Sequence, residues 1–183
     1  MLARMFVEDV AAALELPEPL VEVDGEADPR DLALPDAAAG TAVCLEGLVH
    51  CPDPVAAGRE LARVVADGGL CLVAAPMLRD VRPGRRDLFR LTPSGLRAVL
   101  APFDDVWTRW VGDEGHPLCV FGVGARGRTI GLWPARLPRL AAAQRAHERA
   151  PGRFRVRPLR FEPGELAGAV RGLPRAVVRR GRG

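Results

Sequence analysis

Apolar and polar positions follow two different periods along this chain, and the switches between them mark out its elements. Leu2, Phe6, Val10, Ala13 and Leu14 recur at helical spacing, so residues 2–16 predict an amphipathic helix that Pro17 and Pro19 stop. "LVEVDG" (20–25) follows as a short strand closing on an acid and a glycine. Residues 26–40, "EADPRDLALPDAAAG", predict a loop with little structure of its own. "TAVCLEGLV" (41–49) is a continuous apolar run of the kind found in central parallel strands covered on both faces. Asp53 has the chemistry of a helix N-cap and Pro54 suits the first helical position. Ala57, Leu61, Val64 and Val65 give that helix one apolar face, and "DGG" (67–69) reads as its stop.

"LCLVAAP" (70–76) predicts a second buried strand, and a polar, arginine-rich loop runs on to Asp87. Thr92-Pro93 opens another helix, with Leu96, Val99, Leu100 and Phe103 at helical spacing. "DVWTRWVG" and "PLCVFGVG" are two strands joined by a short turn, a predicted antiparallel hairpin. Beyond Arg126 the pattern weakens. "LPRLAAAQRAHERA" has the composition of a helix, "FRVRPLRF" of a short irregular strand and "PGELAGAVRGL" of a last helix. The alternation of strands and helices predicts an α/β fold with a mostly parallel sheet. Sites in such sheets lie at the carboxyl ends of the strands, which sets Asp24–Gly25, Glu46–His50 and Pro76–Arg79 along one rim.

Composition adds a division of charge. The 183 residues fit one domain with an appendage. Lysine and tyrosine are absent, and arginine is every basic side chain, which reads as base-composition bias in the gene. The net charge is +3, yet from Arg126 onward fifteen arginines face three acids, Glu148, Glu162 and Glu165. The predicted division is a core over 1–128 and an arginine-rich extension over 129–183. No stretch reaches the ~18 consecutive apolar residues of a membrane span. Acids interrupt the apolar run of "MLARMFVEDVAAALEL", unlike a signal peptide. Cys44, Cys51, Cys71 and Cys119 sit mostly in apolar runs as small hydrophobes, so the expected setting is soluble, reducing and cytoplasmic.

Residues 41 to 126 resemble the second half of a class I S-adenosylmethionine-dependent methyltransferase, most closely the broad type 11 group. "CLEGLVHCPDP" matches that group's fourth-strand box at His50, Asp53 and Pro54, with Val49 where the box has glutamate. "RELARVVADGGLCLVAAP" is similar to its next helix, glycine turn and fifth strand. "RDLFRLTPSGLRAVLAPF" keeps Asp87, Phe89, Arg90, Thr92, Pro93 and Gly95 of a further run. The resemblance implies a sheet ordered 3-2-1-4-5-7-6 and a cofactor held by a glycine-rich turn after strand 1 and by acids after strand 2. Here "ELPEPLVEVDG" looks like strand 1, with Glu22 and Gly25 in the relevant places, and the next family element begins a few residues later. About one helix–strand–helix–strand stretch is missing, and no Gly-x-Gly occurs before residue 41. The expectation is a truncated Rossmann-like fold, ordered 1-4-5-7-6 with an antiparallel C-terminal hairpin. Its bare strand-1 edge would be covered by the C-terminal extension, a second protomer or another partner.

The candidate chemistry leaves alternatives open. Glu46 and His50 are the candidate catalytic pair, or a loop-capping histidine beside a vestigial pocket. Glu22, Asp24, Gly25, Glu46 and His50 are the candidate cofactor contacts, although a glycine after a strand is also an ordinary turn residue. Arg79, Arg82, Arg85, Arg86 and Arg90, with Asp87, form a substrate-side loop suited to a phosphate or carboxylate, or a solvated charge run. Zinc on His50, Cys51, His116 and Cys119 fits by ligand type but by no closed spacing, so no metal is expected. Three readings follow. The first is a family member with a degenerate S-adenosylmethionine site that serves as a non-catalytic partner. The second is an active small-molecule methyltransferase with an unusual or partner-completed cofactor site. The weakest is a nucleic-acid-binding module working through the basic tail.

Overall fold

The computed structural model describes residues 1–23, 27–81, 86–131 and 137–150. Its elements are α1 (Leu2–Ala13), β1 (Leu20–Val23), β2 (Ala39–Leu45), α2 (Gly47–His50) and α3 (Pro54–Val64). They continue with β3 (Val65–Pro76), α4 (Pro93–Val99), β4 (Asp105–Asp113), β5 (His116–Ala125) and α5 (Pro138–Arg149). The strands form one five-stranded sheet in the order β1-β2-β3-β5-β4. β1, β2 and β3 pair in parallel, whereas β5 pairs antiparallel with both β3 and β4. The sheet is therefore mixed, which corrects the mostly parallel expectation. The β4–β5 hairpin folds back so that its second strand inserts beside β3 and runs against all its neighbours.

Side chains leave a strand alternately to the two faces, and here each face has its own core. Ala42, Cys44, Cys71, Val73 and Ala75 pack with α2, α3 and α4 on one side. Val43, Leu70, Leu72, Ala74 and Val123 pack with Phe6 and Val10 of α1 and Leu140 of α5 on the other. β3 lies between the two layers and is buried from Leu70 to Pro76.

Local chemistry sets the ends of the elements. Asp53 Oδ1 accepts from Ala56 N at 2.9 Å, and Pro54 sits in the first turn of α3. Thr92 Oγ1 does the same for Gly95 N at 3.0 Å in α4. Two expectations are corrected. "DGG" does not stop α3, because the chain enters β3 at Val65 and those glycines lie inside the strand. The carbonyls at the end of α3 are met instead by Arg126, whose Nη1 donates to Ala62 O and Val65 O at 2.7 Å each. "TAVCLEGLV" is not one strand either. β2 ends at Leu45, and Glu46, at φ 64°, turns the chain into the single helical turn α2.

Residues 27–38 form turns, as expected, but they are fastened down. Arg63 donates to Glu60, Asp36 and Leu34 O, and Glu60 Oε1 accepts from Leu32 N at 2.8 Å. This holds Leu32 in the core. Packing also carries the core past residue 128, since α5 lies against α1 and β4 and the compact unit runs from Met1 to Ala150. "FRVRPLRF" and "PGELAGAVRGL" lie outside the described residues. No helix among the described residues is long and apolar enough to cross a membrane.

Candidate functional site

The turn after β2 is the centre of the site. Glu46 takes a left-handed backbone (φ 64°, ψ −11°), which costs an L-residue about 1–2 kcal/mol. Its N–H donates to Ala74 O at 2.8 Å and so ties the turn to β3. Beyond Pro76 the ladder continues, with Met77 N on Leu118 O at 3.0 Å and Leu78 N on Pro117 O at 3.1 Å. That path brings Arg79 to the carboxyl ends of β2 and β3, where its Nη1 donates to Glu46 Oε2 at 2.6 Å.

Two adjoining clefts open at this rim. The larger, ≈ 650 Å³, is lined by Arg4, Met5 and Glu8 of α1 and by Leu45, Glu46 and His50. The smaller, ≈ 300 Å³, shares Glu46 with it and adds Pro76, Leu78, Arg79 and Cys119. Glu46 and His50 are thus brought to one cavity. His50 Nδ1 meets the carbonyl oxygen of Arg86. A carbonyl accepts only, so Nδ1 is the donor in this contact. The segment carrying Arg86 is clamped further, since Leu88 N and Phe89 N both donate to Val49 O, at 2.9 and 3.2 Å.

The expected arginine loop is internally engaged. Arg90 forks onto Asp87, with Nη2 on Oδ2 at 2.6 Å and Nη1 on Oδ1. The Asp87 side chain is only 1% exposed, and its carboxylate raises the Arg90 pKa above the ordinary guanidinium value. Arg79 faces Glu46, Arg86 contributes its carbonyl, and Arg82 and Arg85 lie outside the described residues. Glu22 stands apart. It is exposed in the middle of β1, opposite Val43, and lines neither cleft. Asp24 and Gly25 lie outside the described residues.

The contribution of α1 went unread in the sequence. Its apolar stripe faces the sheet, which leaves Arg4 and Glu8, an i,i+4 pair of opposite charge, on the side that closes the larger cleft. That polar face was the available signal.

The cysteines are poor nucleophiles. All four are free and buried. Burial pushes the Cys44 thiol up to about 12, and burial together with the Glu46 carboxylate does the same for Cys119. Cys71 is raised well above the usual thiol range and Cys51 is raised as well, both chiefly by burial. Ellman's reagent at pH 8 is therefore expected to label the folded chain slowly and all four thiols at once in guanidinium. Fast labelling of the folded chain would contradict this burial. Among the described residues, no group of three or more His, Cys, Asp or Glu side chains is placed to hold a metal ion.

A methyltransferase-domain family model matches residues 6–73, from α1 into β3. The match takes in α1 and the strand-1 candidate as well as the "CLEGLVHCPDP" box, and ends before the 86–103 run. No curated protein matches the chain. Among solved structures, an S-adenosylmethionine-dependent methyltransferase of Thermotoga maritima, described as a possible histamine N-methyltransferase, aligns with a TM-score of 0.54. Its identity is 11%, over 68% of this chain and 89% of that one. A protein assigned as a methyltransferase, in complex with the Haloferax volcanii Trm112 methyltransferase activator, aligns at TM-score 0.46 and 15% identity. That alignment covers 56% of this chain and 60% of that one, so the chain spans less than two thirds of the Haloferax protein. At these identities the likeness is one of fold. Over residues 6–73 the chain is thus similar to the methyltransferase-domain family, and its fold resembles that of an S-adenosylmethionine-dependent methyltransferase.

Proposed function

We propose that this chain is a class I methyltransferase-family protein with a degenerate S-adenosylmethionine site that works as a non-catalytic partner of another protein. One observation carries the reading: what lies between β1 and β2. The family resemblance calls for two further strands there, whose ends supply the acid for the ribose hydroxyls and the residues around the adenine. Residues 27–38 here form turns, and β1 is the edge of the sheet. On this reading β1 to β5 correspond to family strands 1, 4, 5, 6 and 7, so that the order becomes 1-4-5-7-6. The described residues then do not fit the cofactor in the family's manner. Glu22, the acid of β1, is exposed in mid-strand and away from both clefts.

The partner covers the β1 edge. Four residues of edge strand leave backbone donors and acceptors open to pairing, and Leu20 is 43% exposed there. The covering chain is a second protomer or a different protein, in the reducing, cytoplasmic setting that four free cysteines suit. Slow amide exchange across Leu20–Val23 and a mass above the monomer in light scattering are the expected results. Fast exchange there in a strict monomer would count against a covered edge.

Calorimetric titration with S-adenosylmethionine and S-adenosylhomocysteine tests the degenerate site. The expected result is no heat at millimolar ligand. A dissociation constant tighter than ~100 μM, about −5.5 kcal/mol, would overturn the reading if Glu46→Ala weakened it. That outcome favours a second reading, an active small-molecule methyltransferase, for which the ≈ 650 Å³ cleft bordered by Glu46 and His50 speaks. Glu22, Asp24 and Gly25 would then join the cofactor contacts, and the Arg79–Arg90 loop would face the acceptor. The nucleic-acid reading rests on the basic tail, which lies outside the described residues.

A further inference from the structure

Arg79 is half used. Its Nη1 donates to Glu46, but Nε and Nη2 are buried and have no hydrogen-bond partner. These two nitrogens lie along one edge of the planar guanidinium. Their N–H bonds run parallel and match the two oxygens of a carboxylate. A buried donor left without an acceptor has lost its water and gained nothing in exchange. The chain therefore carries a penalty at this edge that a bound oxyanion would remove.

The surroundings select the kind of oxyanion. The ≈ 300 Å³ cleft that Arg79 lines is walled by Leu2, Ala74, Pro76, Leu78 and Leu118, with Glu46 as its other charged side chain and the Met1 terminus at its margin. Cys119 adds a neutral, buried thiol. One guanidinium edge among apolar walls suits a single negative charge on an apolar body. A phosphate dianion would meet the Glu46 carboxylate and leave the walls without an apolar partner. Arg79 is also held from behind, since its carbonyl oxygen accepts from Arg90 Nη2 at 3.5 Å and Arg90 is itself fixed by Asp87. The side chain as a whole is 17% exposed but the two unpaired nitrogens are themselves buried, so an oxyanion reaches them by displacing part of the cleft wall.

We propose that the unpaired edge of Arg79 and the apolar cleft beside it form a binding site for a small monocarboxylate with a compact acyl or aryl body. The site needs no S-adenosylmethionine and stands whether or not the degenerate-site reading holds. It gives a non-catalytic chain a ligand to respond to.

The test uses the full chain with benzoate and butyrate as probes and benzamide as the uncharged counterpart of benzoate. Binding is read by calorimetry and by the ¹H–¹⁵N signal of the Arg79 Nε–H group. Benzoate is expected to saturate and to move that signal, with benzamide at least about tenfold weaker because the charge-assisted fork is lost. Arg79→Lys keeps the charge but not the fork and is expected to weaken benzoate about tenfold or more. Arg79→Gln should abolish binding. If that variant does not fold, the Nε–H shift in the unaltered chain decides. Three results would overturn the proposal: benzamide binding as well as benzoate, inorganic phosphate binding as tightly as either carboxylate, or no response at tens of millimolar. The last would mean that water alone meets the two donors.

Discussion

Replacing Gly58 by alanine is expected to destabilise the chain by about 3 kcal/mol or more, although the same change on an exposed helix would stabilise it by up to ~1 kcal/mol. The sign reverses because of where α3 meets α4. A Cβ at Gly58 would lie 1.9 Å from Val99 O and 2.9 Å from Val99 C. Those are backbone atoms, so no rotamer change relieves the clash, and α4 must move away as a unit. Moving it draws Leu96 and Val99 out of the core they share with Leu61 and opens a void beneath them. The same movement would strain the Thr92 cap and, through it, the clamped segment at Arg86–Arg90 beside the clefts. Urea unfolding should show a large drop in midpoint at unchanged slope. Gly115→Ala is the control, because nothing lies within 4 Å of a Cβ there. A loss at Gly58 below about 1 kcal/mol would mean that α4 slides freely, and the close helix contact would be wrong.

The parts of this fold that could be read from the sequence are those governed by neighbours along the chain. The caps at Asp53 and Thr92 act over three residues, and both hydroxyl or carboxylate oxygens sit where the sequence put them. The strands of the sheet and the helices between them also follow from local period. Misreadings arose where a distant group decides. A glycine pair after a helix normally ends it, but Arg126 caps α3 from more than sixty positions away and leaves "DGG" free to join β3. A continuous apolar run does not distinguish a strand from a buried helical turn, and Glu46 changes one into the other by a backbone angle that no pattern announces. Spacing gives a hairpin but not the strand beside which it docks, and an expectation for that placement came only from the family resemblance.

The site divides the same way. Glu46 and His50 stand four positions apart at a strand end, so their nearness in one cleft follows from the local chain alone. The partner of Glu46 is 33 positions away, and no one-dimensional rule pairs it with Arg79 rather than with Arg86 or Arg90. The loop looked like a patch of five equivalent guanidinium groups. Packing makes them unequal, since Arg90 is held by a buried aspartate whereas Arg79 keeps two donors unmet. That inequality is chemical information which composition, uniform in arginine, conceals.

Asp9→Ala is expected to cost about 2–3 kcal/mol, the second largest effect, because Asp9 does work that its own helix does not need. It is 1% exposed, and its two carboxylate oxygens accept from Arg139 N at 3.2 Å and Leu140 N at 2.9 Å. Those N–H groups belong to the first turn of α5, whose N-cap residue, Leu137, offers no side-chain oxygen. Asp9 therefore caps α5 from about 130 residues away and places a negative charge at the helix's positive end. Alanine would leave the Leu140 N–H buried and unmet and the Arg139 N–H half-buried without its partner. Asparagine should recover little, because its NH₂ group would face one of the same donors. The exposed Glu8–Arg139 pair beside it is worth much less, so Glu8→Ala should change stability by under about 1 kcal/mol. If Asp9→Ala and Glu8→Ala proved equally mild in urea unfolding, the trans-cap would not be what joins α1 to α5. The consequence reaches the rim, because α1 also carries Arg4 and Met5 along the larger cleft. A chain that loses the Asp9 cap should show earlier proteolytic release of α5 and a loosened cleft wall, linking the closing helix of the core to the geometry around Glu46.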